Sequence, residues 1–442
     1  WITFFGVFFY QSLIYRILMV YLFSIMEENI RTIYILLLLT FGLGQDSLHH
    51  VVGIDQYQLQ TRGPCISKEQ RQKLQFDIKN NREIFINNGS INRKPRQERV
   101  LFAHPLQASD NYNSFGNYII VNYVNQNPEQ PNYLLDWTCS NRTYHTGCDD
   151  SYDCSHRGTD FSLSPFWWNM MENNSVNVIA VAEGVILAKY DGYSDDICGF
   201  DYPNGLPDYL NSQWNYIAIE HYDGTIAVYG HLRKNSVTTK PEQYTVETGE
   251  YLGIVGSSGM SYEPHLHFEL WADFQGGTSL DPFYDEEYVD NNTNNCNQLN
   301  DASLWIDQEP YYNSSILRIM THSSEPIWND CEPSLLNERE IFWPGATMYI
   351  GAYHRDHVLG QESQYRIYNP NGDLDTSWVD IFEGQFDNYH WGPPHLSIFN
   401  NDSTYLQSWR MYEFTLPTDI TAMGYWNIEI EYENNIYPQS FI

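Results

Sequence analysis

Between residues 98 and 285, apolar and polar side chains alternate in short runs, the period of half-buried strands. Residues 118–124 read as one such strand, and 178–182 with 185–190 read as a hairpin about Glu183-Gly184. Residues 214–221 and 225–232 flank Asp223-Gly224, a good hairpin turn. Residues 251–256 precede a Gly/Ser/Pro-rich turn and then a run in which Leu266, Phe268 and Leu270 alternate with polar positions, so that His265 and His267 face one side. Two insertions interrupt the pattern, a long acidic loop over 191–213 and another over 233–248. Upstream, residues 46–97 are a polar N-terminal extension with one helical segment around 68–80 and a basic patch at Arg93-Lys94-Pro95-Arg96. It resembles no catalytic motif and suits a short extension or a pro-segment. Downstream, 286–300 read as a linker. From 301 to 442 strand signals recur at 315–320, 346–353, 365–368, 409–416 and 426–432, separated by turns such as Asn369-Pro370-Asn371-Gly372. That spacing predicts an immunoglobulin-like β-sandwich. The fold class is mainly β: an antiparallel β-sheet domain over 98–285, then a β-sandwich accessory domain.

Residues 1–45 are apolar and stand apart. The chain opens with Trp1 rather than Met, and part of this segment reads as translated sequence upstream of the true start. After Met26, the apolar run 33–43 has the length of a signal-peptide core rather than a full membrane span. Residues 1–25, charged only at Arg16, are long enough to cross a bilayer. Read as a signal peptide or a membrane anchor, the segment predicts export to the periplasm, the cell surface or the medium.

Composition narrows the partners. With 23 basic against 56 acidic residues the formal charge is −33, which argues against nucleic acid and against an anionic membrane surface. The acidic excess reads as solvation, since no calcium-loop spacing appears. The 35 tyrosines favour β-rich structure. Seven cysteines are scattered without a CxxC, which excludes the usual zinc knuckles. In an exported protein Cys139, Cys148, Cys154 and Cys198 suit local bridges, with Cys154 shaping the loop beside His156, and Cys296 could pair with Cys331. Oligomeric state is not written in the sequence.

The candidate chemistry lies in four segments. His156 and Asp160 are four apart in a Gly-containing turn entering a strand, His231 ends a strand, and His265 and His267 share a strand face. Zinc takes His nitrogen and Asp oxygen, and a catalytic zinc keeps three protein ligands and one open position. His156, Asp160 and His267 supply that set, leaving His231 and His265 for proton and oxyanion work. No HExxH is present. His221 reads as a structural strand residue, and His354-Arg355-Asp356-His357 as a solvated loop rather than a second metal site.

His156-x-x-x-Asp160, Tyr229-Gly230-His231-Leu232 and the run from Gly256 through Ser258-Gly259 to Pro264-His265-Leu266-His267-Phe268-Glu269 resemble the signature segments of lysostaphin-type zinc metallopeptidases. Val181-Ala182-Glu183-Gly184-Val185-Ile186 and His221-Tyr222-Asp223-Gly224 match as well, in order. The resemblance covers 98–285. It implies a fold of duplicated-hybrid-motif type, one Zn2+ ion held by His156, Asp160 and His267, a catalytic pair in His231 and His265, and endopeptidase action on peptidoglycan peptides. Tyr262-Glu263 depart from it, standing where the family usually has a small residue and a glycine. The competing expectations are a non-catalytic wall-binding or hydrolase-activating relative, and a zinc peptidase acting on other proteins.

Overall fold

Two compact units divide the chain, Trp1–His49 and His50–Ile442. The computed structural model describes residues 50–53, 66–91, 98–126, 135–138, 140–145, 155–201, 207, 209–210, 213–275, 278–283, 303–383, 404–419 and 423–442. The apolar segment 1–45, the basic patch at 93–96 and the linker 286–300 lie outside them. No described helix is long and apolar enough to cross a membrane.

In chain order the elements are β1 (His50–Gly53), α1 (Lys68–Asn87), β2 (Leu106–Ala108), β3 (Tyr118–Asn122), β4 (Thr159–Leu163), α2 (Trp167–Glu172), β5 (Val176–Ile179), β6 (Gly184–Tyr190), β7 (Tyr216–His221), β8 (Ile226–Gly230), β9 (Thr245–Val246), β10 (Tyr251–Ile254), β11 (His265–Trp271) and β12 (Ser279–Leu280). They continue as β13 (Ser315–His322), β14 (Thr347–Val358), β15 (Glu362–Tyr368), β16 (Leu374–Ile381), β17 (Thr404–Thr415), β18 (Trp426–Tyr432) and β19 (Asn435–Phe441).

The strands make four sheets, and every pairing between them is antiparallel. The largest has eight strands in the order β3-β4-β11-β8-β7-β6-β9, with β12 beside β11. A three-stranded sheet, β10-β5-β2, packs against it through one buried cluster containing Val176, Val178, Leu252, Ile217, Ile219, Tyr229, Leu266 and Phe268. Each such side chain contributes about 1.5–3 kcal/mol on full burial, so this cluster fixes the strand register on which the site depends.

The predicted hairpin at 178–190 does not form. β5 joins the small sheet and β6 the large one. The intervening Ala180-Val181-Ala182 is buried as it crosses between them, with Ala180 N–H donating to Glu250 O and Val181 N–H to the Tyr229 hydroxyl oxygen. The turn at Asp223-Gly224 does close the hairpin β7–β8, and Gly224 has φ 93° there.

The helix α1 runs to Asn87, seven residues beyond the expected end at 80. Ser67 and Gln70 form a reciprocal capping box at its start. Leu74, Ile78 and Phe85 face Leu187, Trp214, Tyr216, Val228 and Trp271 on the back of the large sheet. Leu74, Ile78 and Phe85 thus make the docking face, while Phe76 and Ile84 of the same helix stay exposed.

In the C-terminal part, β1-β17-β14-β13 and β16-β15-β18-β19 form two four-stranded sheets over a shared core that includes Ile350, Tyr365, Tyr412, Trp426 and Ile428. β16 and β19 lie outside the expected strands: both are edge strands of mixed polarity, largely exposed. The expected loop at His354–His357 is instead the buried interior of β14. Its charges have partners from elsewhere. Asp356 Oδ1 lies 3.3 Å from Arg142 Nη2, and Arg355 Nη2 lies 2.7 Å from Glu309 Oε2. Arg142 itself is fully buried and lies over the Tyr311 ring at 4.5 Å. Cys331 pairs with Cys198, not with Cys296, tying the 191–213 loop to the segment before β14. Cys139, Cys148, Cys154 and Cys296 lie outside the described residues.

Candidate metal centre

Three neighbouring strands assemble the site. On β11, His267 is opposite Asp160 of β4 on one side and Gly230 of β8 on the other. His231 follows Gly230 directly, so the register alone puts it beside His267. His265 lies two residues back on the same face of β11. His156 enters from the turn before β4. His156, Asp160 and His267 are buried, and their ligand atoms fall within 4.8 Å of one another. The His231 ring centroid is 4.6 Å from that of His265 and 5.8 Å from that of His267. The structure therefore brings together all five residues singled out from the sequence.

The hydrogen bonds fix which nitrogen each ring presents. A carbonyl oxygen has no proton to give, so a ring nitrogen facing one must carry the hydrogen. His156 Nδ1 donates to Tyr123 O at 2.7 Å, His231 Nδ1 to Ser258 O at 2.6 Å and His265 Nδ1 to Glu263 O at 2.8 Å. Each of these rings, when neutral, holds its lone pair on Nε2. His267 is held the other way, its Nε2 at 3.0 Å from Glu269 Oε1, and so presents Nδ1. Glu269 is ionised: burial pushes its pKa up, but the Arg71 guanidinium and the His267 contact hold it well below the ordinary range.

Asp160 completes the donor set. Its Oδ2 lies 3.1 Å from His156 Nε2 and its Oδ1 2.7 Å from His267 Nδ1. Two imidazole lone pairs aimed at one buried carboxylate repel it unless positive charge lies among them. A divalent cation placed among them answers all three groups at once. Two imidazole nitrogens and one carboxylate oxygen are a donor set that zinc accepts, so the residues fit the group that the sequence implied.

The surroundings explain the motif around the site. Ser258 accepts from Asn215 N–H at 3.0 Å and donates to Leu232 O at 2.9 Å, which fixes the carbonyl that anchors His231. Gly259, at φ 82°, makes the turn, and a Cβ there would fall 2.6 Å from Gln213 O. His231 itself has φ 60°, a left-handed conformation that costs a bulky residue roughly 1–2 kcal/mol and aims its ring into the site. His221 bonds to Glu183 O at 2.9 Å and packs on Phe102, away from the cluster. Tyr262, at the departure from the family pattern, covers Gly199 of the 191–213 loop, and Gly199 N–H donates to Tyr262 O. Glu263 is buried beside it.

Sequence reasoning missed three contributors. Asn122 donates to Asp160 Oδ2 at 2.9 Å, and its strand position carried no distinguishing signal. Glu269 shares a strand face with His267, so the period of two could have found it. Arg71 is 198 residues away from Glu269, and nothing in the sequence links them.

Residues 155–282 match Peptidase family M23. This segment is an M23 domain. The lysostaphin-type resemblance stands on that match. A stretch of 56 residues is 39% identical to the cell division protein DipM of Caulobacter vibrioides, covering 13% of this chain and 9% of DipM. The chain thus spans a small part of that relative's length. The catalytic domain of the prophage-encoded M23 protein EnpA from Enterococcus faecalis, in a mutant form, is 25% identical, with TM-score 0.19, over 29% of this chain and 76% of that one. The catalytic domain of the antimicrobial peptidase lysostaphin from Staphylococcus simulans is 26% identical, with TM-score 0.20, over 29% and 77%. All five candidate residues lie inside the M23 domain, whereas Arg71 and Asn122 lie before it.

Proposed function

We propose that this protein is an exported zinc-dependent endopeptidase that hydrolyses peptide bonds in peptidoglycan stem peptides or cross-bridges. What supports the reading most is the opposite anchoring of the rings: His156 presents Nε2 and His267 presents Nδ1 toward Asp160. With both rings neutral, lone pairs converging on a carboxylate call for a cation among them, which a metal ion supplies. The M23 match and the apolar N-terminal segment support the substrate class and the export.

His156, Asp160 and His267 would hold one zinc ion. When bound, zinc supplies a Lewis acid and acidifies a bound water. The remaining chemistry belongs to His231 and His265. Each presents an Nε2 whose lone pair can accept the proton of the attacking water. Once protonated, the same nitrogen can donate to the tetrahedral oxyanion or to the departing amine. The proton taken from water is thereby the one returned to the new amino terminus, and no net charge is left in the buried site. Asn122 holds one oxygen of Asp160, and the backbone carbonyls of Tyr123, Ser258 and Glu263 hold three rings without competing for their reactive nitrogens.

The test is cleavage of defined peptidoglycan peptides by the zinc-loaded protein, followed by mass spectrometry of the products. We expect a new amino terminus in the stem or cross-bridge, abolished by chelation. His231→Ala and His265→Ala should each reduce turnover about 10²–10⁴-fold while zinc binding persists. Unchanged turnover in both variants would rule out the proposed catalytic pair, and binding without any cleavage would favour a wall-binding protein.

A further inference from the structure

We propose that Arg71, on the helix α1 outside the M23 domain, acts through Glu269 to hold His267 in the orientation that metal binding needs. This rests on the zinc reading above and deepens it, since it makes part of the N-terminal extension a component of the centre. Arg71 is a positioning residue.

Glu269 is fully buried, and four donors surround its two oxygens. Oε1 faces Arg71 Nη2 at 2.8 Å and His267 Nε2 at 3.0 Å. Oε2 faces Arg71 Nη1 at 2.8 Å and Trp271 Nε1 at 2.7 Å. An ionised carboxylate has room for about four such bonds, so its plane is locked. The Arg71 fork supplies two of the four in the bidentate geometry that only a guanidinium provides. His267 depends on this lock, because its Nδ1 faces Asp160 only while Nε2 is held from behind. A histidine ligand normally needs such an outer partner, and loss of the partner weakens metal affinity about 10–100-fold.

α1 also carries a matched control. Arg82 Nε lies 2.9 Å from both oxygens of Glu220, on β7 of the same sheet. Both pairs are buried and pin the same helix to the same sheet, but Glu220 shows no contact with a candidate ligand. A role limited to docking the helix would make the two pairs equivalent.

The experiment uses the full chain and zinc alone, with affinity read by competition against a chromophoric chelator and folding by thermal unfolding. Arg71→Met should weaken zinc binding about 10–100-fold. Arg71→Lys, which keeps the charge but not the fork, should recover part of it. The double variant Arg71→Met with Glu269→Gln should bind zinc no more weakly than the weaker single variant. Arg82→Met should lower the unfolding temperature comparably with zinc affinity at the wild-type value. If Arg71→Met does not fold, Arg71→Lys and Glu269→Gln set against Arg82→Met give the same comparison. Wild-type affinity in the Arg71 and Glu269 variants, or an equal loss in Arg82→Met, overturns the relay alone. A wild-type chain that binds no zinc overturns the zinc reading and the relay with it.

Discussion

Gly158 lies in the turn between His156 and Asp160, and the smallest possible change there tests how tightly the centre is built. A Cβ at this position would sit 2.6 Å from Phe268 O and 2.8 Å from both Cε1 and Nε2 of His267. Ordinary contacts begin near 3.4 Å, so Gly158→Ala is short by roughly 0.6–0.8 Å on two sides of one strand. The carbonyl cannot rotate away, because β11 is bonded to β4 on one side and β8 on the other. The ring of His267 or the ligand turn must move instead. Overpacking of this kind costs about 1–3 kcal/mol, and here the strain falls on two ligand-bearing segments. We therefore expect a lower denaturant midpoint at unchanged slope and a weaker zinc affinity, measured by urea unfolding and chelator competition. Gly158→Ala with wild-type midpoint and wild-type zinc affinity would refute the packing of His267 described above.

Other expectations follow from the same contacts. Cys198–Cys331 spans 133 residues, and Cys331→Ala should cost about 2–5 kcal/mol of stability, read as a shift in the unfolding midpoint relative to the oxidised wild type. An unshifted midpoint would mean that this bond is not formed in the folded protein. Stability should also fall with acidification. Burial, then the nearby Arg410 charge, lowers the pKa of His354 to about 3. The unfolded chain takes up this proton near pH ~6.5, so between there and pH ~3 the unfolded state binds more protons and stability present at neutral pH is lost. The contribution is on the order of 3–5 kcal/mol. Urea unfolding at pH 7 and pH 4.5 should show a smaller difference in His354→Phe than in wild type, and an equal difference would contradict it.

Much of the site is readable in one dimension because its geometry is set by local rules. The period of two put His265 and His267 on one face, the turn at Asp223-Gly224 fixed β7 against β8, and His231 sits where β8 ends. What could not be read depended on distant partners. An apolar run such as 178–182 looks the same whether it pairs with its neighbour or crosses to another sheet, and distant partners such as Tyr229 and Glu250 decide the matter. The charges at Arg355 and Asp356 suggest solvent until Glu309 and Arg142 arrive to bury them. β16 and β19 are edge strands without a clean alternation, with Val379, Ile381 and Ile436 exposed and Asp380 buried, which weakens the strand signal. The polar composition of α1 hid a docking face of Leu74, Ile78 and Phe85, and with it the route from Arg71 to the candidate ligand.

The most direct test of the centre itself is X-ray absorption at the zinc edge on the zinc-loaded chain, beside His156→Ala and His267→Ala. The account predicts one zinc with two imidazole nitrogens at about 2.0–2.1 Å and a carboxylate oxygen at about 2.0–2.2 Å, the imidazole count falling by one in each variant. A sulfur-rich shell, or a wild-type spectrum that neither substitution alters, would contradict it.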